Sequence, residues 1–240
     1  GNVVVDANGL PKISTTNKTL GKFTPDWTGG ISNTFSYRSL SLSFLIDASV
    51  GGSIFSNTNK TGKYTGVLAN TLSGRDAEHG GLWYYTDAMG NNVRLSESPS
   101  YSVSSDGLYY AQVNGQSTRV YQDGIMVEGV TESGSKNEEV VSAEKYYHRI
   151  YSIAEANVYD ASYVKLREVA LSYRLPRLWT QKLHLQEASV TLTGRNLWTI
   201  YKSVPNIDPE SALTTGNAQG VEAYSLPTTR SFGVNLSVKF

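Results

Sequence analysis

The ten residues from 231 to 240 constrain the fold more than any other part of the sequence. Polar and apolar side chains alternate strictly along them, and all the apolar ones stand at even numbers. Successive side chains of a β-strand point to opposite faces of the sheet, so this spacing predicts a strand with one apolar and one polar face. The apolar set is Phe232, Val234, Leu236, Val238 and Phe240.

Two neighbouring segments show the same alternation and predict a hairpin. In residues 29–38 the apolar side chains are at odd-numbered positions. In the first part of residues 40–50 they are at even-numbered positions. A switch of parity at Arg38-Ser39 is what a two-residue turn produces, because residues paired across a hairpin face the same way. We therefore expect two antiparallel strands joined by a tight turn at Arg38-Ser39.

Two further strands are predicted later in the chain. One runs from about Ser162 to Pro176, where proline stops it. Its parity changes near Arg167-Glu168, which indicates a β-bulge. The other covers 188–197, and residues 177–185 between the two are typical of a short helical turn followed by the lead-in to a strand.

The lengths of the connections between these five strands fall into two classes. Those at 38–39 and 176–186 are short, whereas those at 51–159 and 198–228 are long. Successive connections of an up-and-down meander lie at alternate ends, so the short ones share one end and the long ones the other. This asymmetry is typical of an outer-membrane barrel with short periplasmic turns and long outer loops. We expect an all-β, antiparallel transmembrane β-barrel.

The long connection at 51–159 must contain structure of its own. Asn137 followed by two glutamates predicts an N-cap, and the apolar spacing after it predicts a short helix over about 138–155. The connection also holds aromatic residues that could stack on a sugar ring or a peptide, or could form its own small core. These candidate substrate-binding residues are Trp83, Tyr84, Tyr85, Tyr109 and Tyr110.

Composition excludes several other functions. The 21 basic and 21 acidic residues give zero net charge, which argues against a nucleic-acid partner. The chain has no cysteine, and its histidines (His79, His148 and His184) lack ligand-like spacing, so we expect no metal site and no cofactor. Asp208-Pro209-Glu210 is interpreted as a turn rather than an acid/base pair. We therefore expect no enzyme activity. No transmembrane helix and no leader peptide are visible.

Several motifs, in order, resemble those of SusC/RagA-type TonB-dependent outer-membrane transporters. They cover most of the chain from residue 20 onward, which makes the match stronger than any one motif. The motifs are TPDWTGG at 24–30, FSYRSLSLSF at 35–44, DASYVKLREVALSYRLP at 160–176, TGRNL at 193–197, DPE at 208–210 and LPTTRSF at 226–232. The terminal Phe240 also fits the family.

This resemblance implies that residues 1–240 are the C-terminal part of the barrel, namely the last five strands of 22, with 51–159 as a long extracellular loop insertion. It implies an outer-membrane importer of oligosaccharides or peptides that works with a SusD-like lipoprotein lid. Its other expected partners are outer-membrane lipid, the remaining N-terminal barrel and plug segment, and TonB through that missing part. Phe240 looks like the signal read by the barrel-assembly machinery. The alternative is a secreted all-β adhesin or glycan-binding module.

Overall fold

The computed structural model describes residues 2–182, 184–213, 216 and 219–240. Positions 183, 214, 215, 217 and 218, which fall within the predicted 177–185 and 198–228 connections, lie outside the described residues. The chain divides into two compact units. One joins Asn59–Asn157 to a segment ending at Thr19, and the other joins Leu20–Thr58 to Val158–Phe240.

Strands predominate among the described elements. In chain order they are β1 (Trp27–Tyr37), β2 (Leu40–Val50), β3 (Ser53–Ser56), α1 (Asn57–Thr65), β4 (Leu82–Thr86), β5 (Asn92–Arg94), β6 (Tyr101–Val103), β7 (Tyr109–Val113), β8 (Gln116–Ile125), β9 (Val141–Ser142), α2 (Ala143–Ser152), β10 (Val158–Asp160), β11 (Tyr163–Arg174), α3 (Arg177–Lys182), β12 (Glu187–Lys202), β13 (Val221–Glu222) and β14 (Ser231–Lys239). Within the described ranges, no helix has both the length and the apolar character needed to cross a membrane.

The five predicted strands form one antiparallel sheet in the order β1-β2-β11-β12-β14. The prediction of an all-β, antiparallel architecture is therefore confirmed. Among the described residues β1 pairs only with β2, and β14 pairs only with β12. Each outer strand thus has one edge whose backbone N–H and C=O groups have no strand partner in the part of the chain described here.

The short connections lie together at one end of this sheet, as predicted. Tyr37 pairs with Leu40, so Arg38 and Ser39 form a two-residue turn. Arg38 adopts a left-handed backbone with φ of 54°, the conformation for which such turns usually use glycine or asparagine. The backbone N–H of Arg174 donates to the carbonyl of Ser39 at 2.8 Å, which places the end of β11 beside the turn.

The predicted bulge is confirmed, but the length predicted for β12 is wrong. On β11 the register shifts between Leu166 and Glu168, whose partners on β2 are consecutive residues. The sequence placed the end of β12 at residue 197, whereas the strand continues to Lys202. It continues because its last residues pair with the start of β11, where Lys202 lies opposite Tyr163. The long connection that follows therefore begins at residue 203.

The register makes the sheet amphipathic across all five strands. One row of directly paired residues is entirely apolar, and the next row is entirely polar. The apolar row is Phe35, Leu42, Leu171, Leu192 and Val234, with exposures from 38% to 74%. The polar row is Ser36, Ser41, Ser172, Thr191 and Asn235. In the polar row, the hydroxyls of Ser36 and Ser41 are hydrogen-bonded at 2.8 Å, and so are those of Ser172 and Thr191.

The second unit also contains a small sheet with its own core. Strand β3 lies between β10 and β13. Ile54, Val204 and Ile207 are buried there, and Tyr159 and Ala161 pack against them. Residues flanking the long strands are thus packed together instead of forming plain loop.

The unit that contains Asn59–Asn157 is built around the sheet β5-β4-β8-β7-β6, with β9 paired to β8. Its helix α2 starts later than predicted, and Asn137 is not the N-cap. Ser142 caps the helix by accepting a hydrogen bond from the Lys145 N–H at 3.3 Å. Val141 pairs with Ile125 and is buried, so tertiary packing keeps the preceding residues extended. Asn137 is buried and donates to the Val127 carbonyl at 2.9 Å.

Candidate functional site

A cluster of charged side chains lies on the polar face of the five-stranded sheet, toward the end of the long connections. Lys165 on β11 pairs directly with Asp47 on β2, and both belong to the polar face. Arg167 follows two residues later at the bulge. Asp208 and Glu210, from the connection between β12 and β14, complete the cluster. The five groups comprise two cations and three carboxylates.

The oppositely charged groups of this cluster pair at short distances. The Lys165 Nζ lies 2.5 Å from an Asp208 oxygen and 2.6 Å from a Glu210 oxygen. Its side chain is only 4% exposed, and that of Asp208 is 7% exposed. Arg167 donates to Glu210 at 2.7 Å through Nη1 and to Asp47 at 2.7 Å through Nη2. The Tyr163 hydroxyl also donates to Glu210, at 2.9 Å.

Asp208 joins the two ends of the 203–230 connection to each other. One of its oxygens accepts hydrogen bonds from the Thr228 N–H at 3.1 Å and the Thr228 hydroxyl at 2.6 Å. The other accepts from Lys165 and from the Glu210 N–H at 3.1 Å. The connection is therefore bonded to the five-stranded sheet through Asp208 near its start, and Asp208 in turn holds Thr228 near its end.

The turn predicted at Asp208-Pro209-Glu210 is present, and its carboxylates serve in ion pairs. The hydrogen bond from the Glu210 N–H to the Asp208 side chain is a local turn contact. Sequence reasoning missed the link to β11, whose lysine lies 43 residues earlier. One feature of the sequence could have indicated this link. Lys165 and Arg167 are two residues apart on a strand, and Asp208 and Glu210 are two residues apart in a loop. Periodicity within each segment, however, does not show that the two segments meet.

The two loop carboxyls have lowered pKa values. Burial raises the pKa of each, but the hydrogen bonds that each carboxylate accepts outweigh burial when taken together. Asp208 accepts from Lys165, Thr228 and the Glu210 N–H. Glu210 accepts from Arg167, Lys165 and Tyr163. The pKa of Asp208 is therefore held well below its usual range, and that of Glu210 is lowered to about 2. Both groups are charged across the physiological pH range.

Acid should release the connection only far below neutral pH. A free glutamate has a pKa of about 4.3, so the ion pairs of Glu210 contribute their full stability above that value. The contribution declines as pH falls further and is lost once pH has dropped through about 2. Hydrogen exchange in 203–230 of the full-length protein, followed over decreasing pH, measures this. Release of the connection while pH is still above the free-glutamate value would contradict it.

The five aromatic candidates of the long connection lie in the sheet of the other unit. Trp83 is 7% exposed, and its ring centroid lies 5.0 Å from that of Tyr101 and 5.8 Å from that of Tyr109. Tyr84 is 4% exposed and donates to Asp123 at 3.2 Å. Tyr85 and Tyr109 pack against the buried core, whereas Tyr110 is half-buried on β7. Substrate stacking by these residues stays a prediction, with the more accessible surface on Tyr85, Tyr109 and Tyr110.

The last candidate position is Phe240, and the sequence argues against metal-binding groups. Phe240 follows β14 and is 80% exposed, and its role as an assembly signal stays a prediction. In the described parts of the chain, no three His, Cys, Asp or Glu side chains are grouped so as to hold a metal ion.

No known family model matches this chain. It is 25% identical to TonB-dependent receptor P3 of Formosa agariphila over 247 aligned positions, which cover the whole chain and 19% of that receptor. Two structures of the RagAB peptide importer are also similar. The open-open state gives 17% identity, a TM-score of 0.45 and coverage of 91% of this chain and 17% of that one. The closed-closed state gives 18% identity, a TM-score of 0.47 and coverage of 99% of this chain and 21% of that one.

The resemblance to TonB-dependent receptors is confirmed by the similarity to a curated receptor over the full length of this chain. The expected outer-membrane localisation is confirmed with it. The relatives are a receptor and transporters rather than enzymes. The chain spans about a fifth of the length of that receptor.

Proposed function

We propose that this chain, a relative of the TonB-dependent receptors, forms the C-terminal part of the barrel of a SusC/RagA-type outer-membrane importer. The observation that supports this most is the amphipathic five-stranded sheet. Its apolar rows lie exposed on one face, and its hydroxyl rows and charge cluster lie on the other. A barrel strand in a membrane needs this division, with apolar side chains toward lipid and polar ones toward the lumen.

The outer edges of β1 and β14 support a larger barrel. In a bilayer, unpaired backbone groups at a sheet edge have no water to bond with, and open edges do not occur there. We therefore propose that both edges pair with strands of the remaining N-terminal part, closing a barrel of 22 strands around a plug. The surrounding lipid is then the partner of the apolar face.

The segregation of connections supports an orientation. The turn at 38–39 and the connection at 176–186 would face the periplasm, and 51–159 would be an extracellular loop insertion. By the same proposal a SusD-like lipoprotein covers the outer side, and TonB engages the N-terminal part to drive import of oligosaccharides or peptides. No covalent chemistry is involved.

The charge cluster has a place in this function. It holds the 203–230 connection against the polar face, which would be the lumen wall. Substrate passing the wall would then meet a surface of fixed shape instead of a mobile loop. The alternative of a secreted adhesin is less well supported, because a soluble sandwich would bury the row from Phe35 to Val234 under a second sheet.

Cysteine labelling on β2 tests the proposed faces. These 240 residues contain no cysteine, and Leu42→Cys and Ser43→Cys provide an adjacent pair on opposite faces, each compared with the labelling of the unsubstituted full-length protein. In intact outer membranes containing the full-length protein, we expect a water-soluble maleimide to label Ser43→Cys and to spare Leu42→Cys. Both should react after denaturation. Equal labelling of the two in intact membranes would contradict the proposed division between lipid and lumen.

A further inference from the structure

The end of the sheet that carries the short connections is strongly basic although the chain as a whole is neutral. Residues 37–40, 173–187 and 238–240 hold five basic residues against one acidic residue. The basic residues are Arg38, Arg174, Arg177, Lys182 and Lys239, and the acidic residue is Glu187. Positive charge concentrated at one end of a neutral chain indicates an anionic partner at that end.

Three of the five cations can be assigned to a face of the sheet. Arg174 and Lys239 continue the polar face, and both lie near Glu187, which Arg174 contacts at 2.9 Å. Arg38 lies on the other side, because its guanidinium stands 5.3 Å from the ring centroid of Tyr37, a residue of the apolar face. The structure gives Arg38, Arg177 and Lys182 no acidic partner among the residues it describes.

Helix α3, which carries Arg177 and Lys182, also carries two large exposed apolar side chains. Leu178 is 73% exposed and Trp179 is 59% exposed. The first turn of the helix and the turn after it are closed by local hydrogen bonds. The Trp179 N–H donates to the Pro176 carbonyl at 2.9 Å, and the Leu185 N–H donates to the Thr180 carbonyl at 2.9 Å. Thr180 is 2% exposed, so the helix turns this residue inward while Leu178 and Trp179 face outward.

We propose that the short-connection end of the sheet binds anionic phospholipid headgroups at the rim of the barrel, through Arg38, Arg177, Leu178, Trp179 and Lys182. Tryptophan beside exposed leucine suits the boundary between acyl chains and headgroups, where an aromatic ring meets both environments. The three cations, which have no acidic partner among the described residues, would then meet the lipid phosphates. The inference rests on the proposed function, because it requires the adjoining apolar face to contact lipid.

Lipid titration followed by native mass spectrometry tests the proposal. The full-length protein in detergent micelles is titrated with phosphatidylglycerol or with zwitterionic phosphatidylcholine. Wild type should bind phosphatidylglycerol more tightly. In the triple variant Arg38→Gln, Arg177→Gln, Lys182→Gln, affinity for phosphatidylglycerol should fall by roughly a hundredfold, since each cation near an anionic surface contributes a factor of about five. Affinity for phosphatidylcholine should stay unchanged.

A matched control removes the same charge elsewhere. Arg94, Lys136 and Lys145 are exposed cations of the other unit, and their combined replacement by glutamine should leave the lipid preference intact. Raised salt should weaken only phosphatidylglycerol binding. Equal affinity of wild type for both lipids, or equal loss in the two triple variants, would overturn the proposal and favour a soluble acidic partner. If instead the protein stays soluble without detergent and binds neither lipid, the proposed function itself fails.

Discussion

Replacing Leu192 by arginine should nearly abolish assembly of the full-length protein in the outer membrane. Leu192 lies in the middle of the apolar row on β12, between Leu171 and Val234, and is 51% exposed. On the lipid face near the bilayer midplane, arginine costs about 2–4 kcal/mol. Half of the side chain's surface is already open, so the substitution leaves no large cavity. The heat-modifiable, folded fraction in outer membranes measures the effect.

The adjacent residue supplies the control. Thr193 lies on the polar face, where its cross-strand neighbours are the small residues Ala170 and Gly233. Arginine there has room and would point to the aqueous lumen, so Thr193→Arg should assemble close to the wild-type level. Similar losses in both variants would show that β12 does not separate lipid from water, and the proposed barrel would be wrong.

Replacing Lys165 by methionine should detach the 203–230 connection from the sheet. Methionine has a similar length but no charge, so it leaves Asp208 without its cation and Glu210 with Arg167 alone. Removing one partner of a buried ion pair costs about 3–5 kcal/mol, because the remaining charge is left without compensation. Hydrogen exchange across 203–230 should rise strongly, while exchange in β1 and β2 should change little.

An exposed ion pair on the same sheet offers a matched comparison. Arg195 contacts Glu168 at 2.8 Å, and the two side chains are 65% and 38% exposed. Exposed pairs of this kind are worth about 0–1 kcal/mol, so Arg195→Met should leave exchange in the connection nearly unchanged. If the two methionine variants behaved alike, the cluster would not be what fastens the connection.

Neutralising the carboxyls should partly restore the Lys165→Met variant. When Asp208→Asn and Glu210→Gln are added, the buried negative charges disappear, and Arg167 keeps its contacts with Asp47. Because the expected cost comes from unpaired charge, the triple variant should show slower exchange in 203–230 than Lys165→Met alone. An unchanged or faster rate would indicate that the lysine acts through packing.

The charge cluster and the basic end have different physical roles. In the cluster, buried and half-buried cations and carboxylates pair with one another, which favours a fixed internal structure. At the end of the sheet, Arg38, Arg177 and Lys182 stand beside exposed apolar groups without acidic partners among the described residues, which favours an external ligand. The same residue types therefore stabilise one site and recognise a partner at the other.

The residue order alone predicts the five long strands apart from the end of β12, together with the hairpin at Arg38-Ser39 and the bulge before Glu168. These features depend on the two-residue period of a strand and on changes of its parity, both of which are local and therefore legible in the residue order. The full-length similarity to TonB-dependent receptors agrees with the motifs read from the same strands.

The features that depend on distant partners are visible only in the folded chain. The pairing of Lys165 with Asp208 joins residues far apart in sequence, and no period links them. The helix that Asn137 was expected to cap begins at Ala143, because burial and strand pairing of Val141 outweigh local capping preference. Strand β12 reaches Lys202 because Tyr163 lies opposite it. In each case the outcome was set by a contact whose free energy exists only after the chain has brought distant residues together.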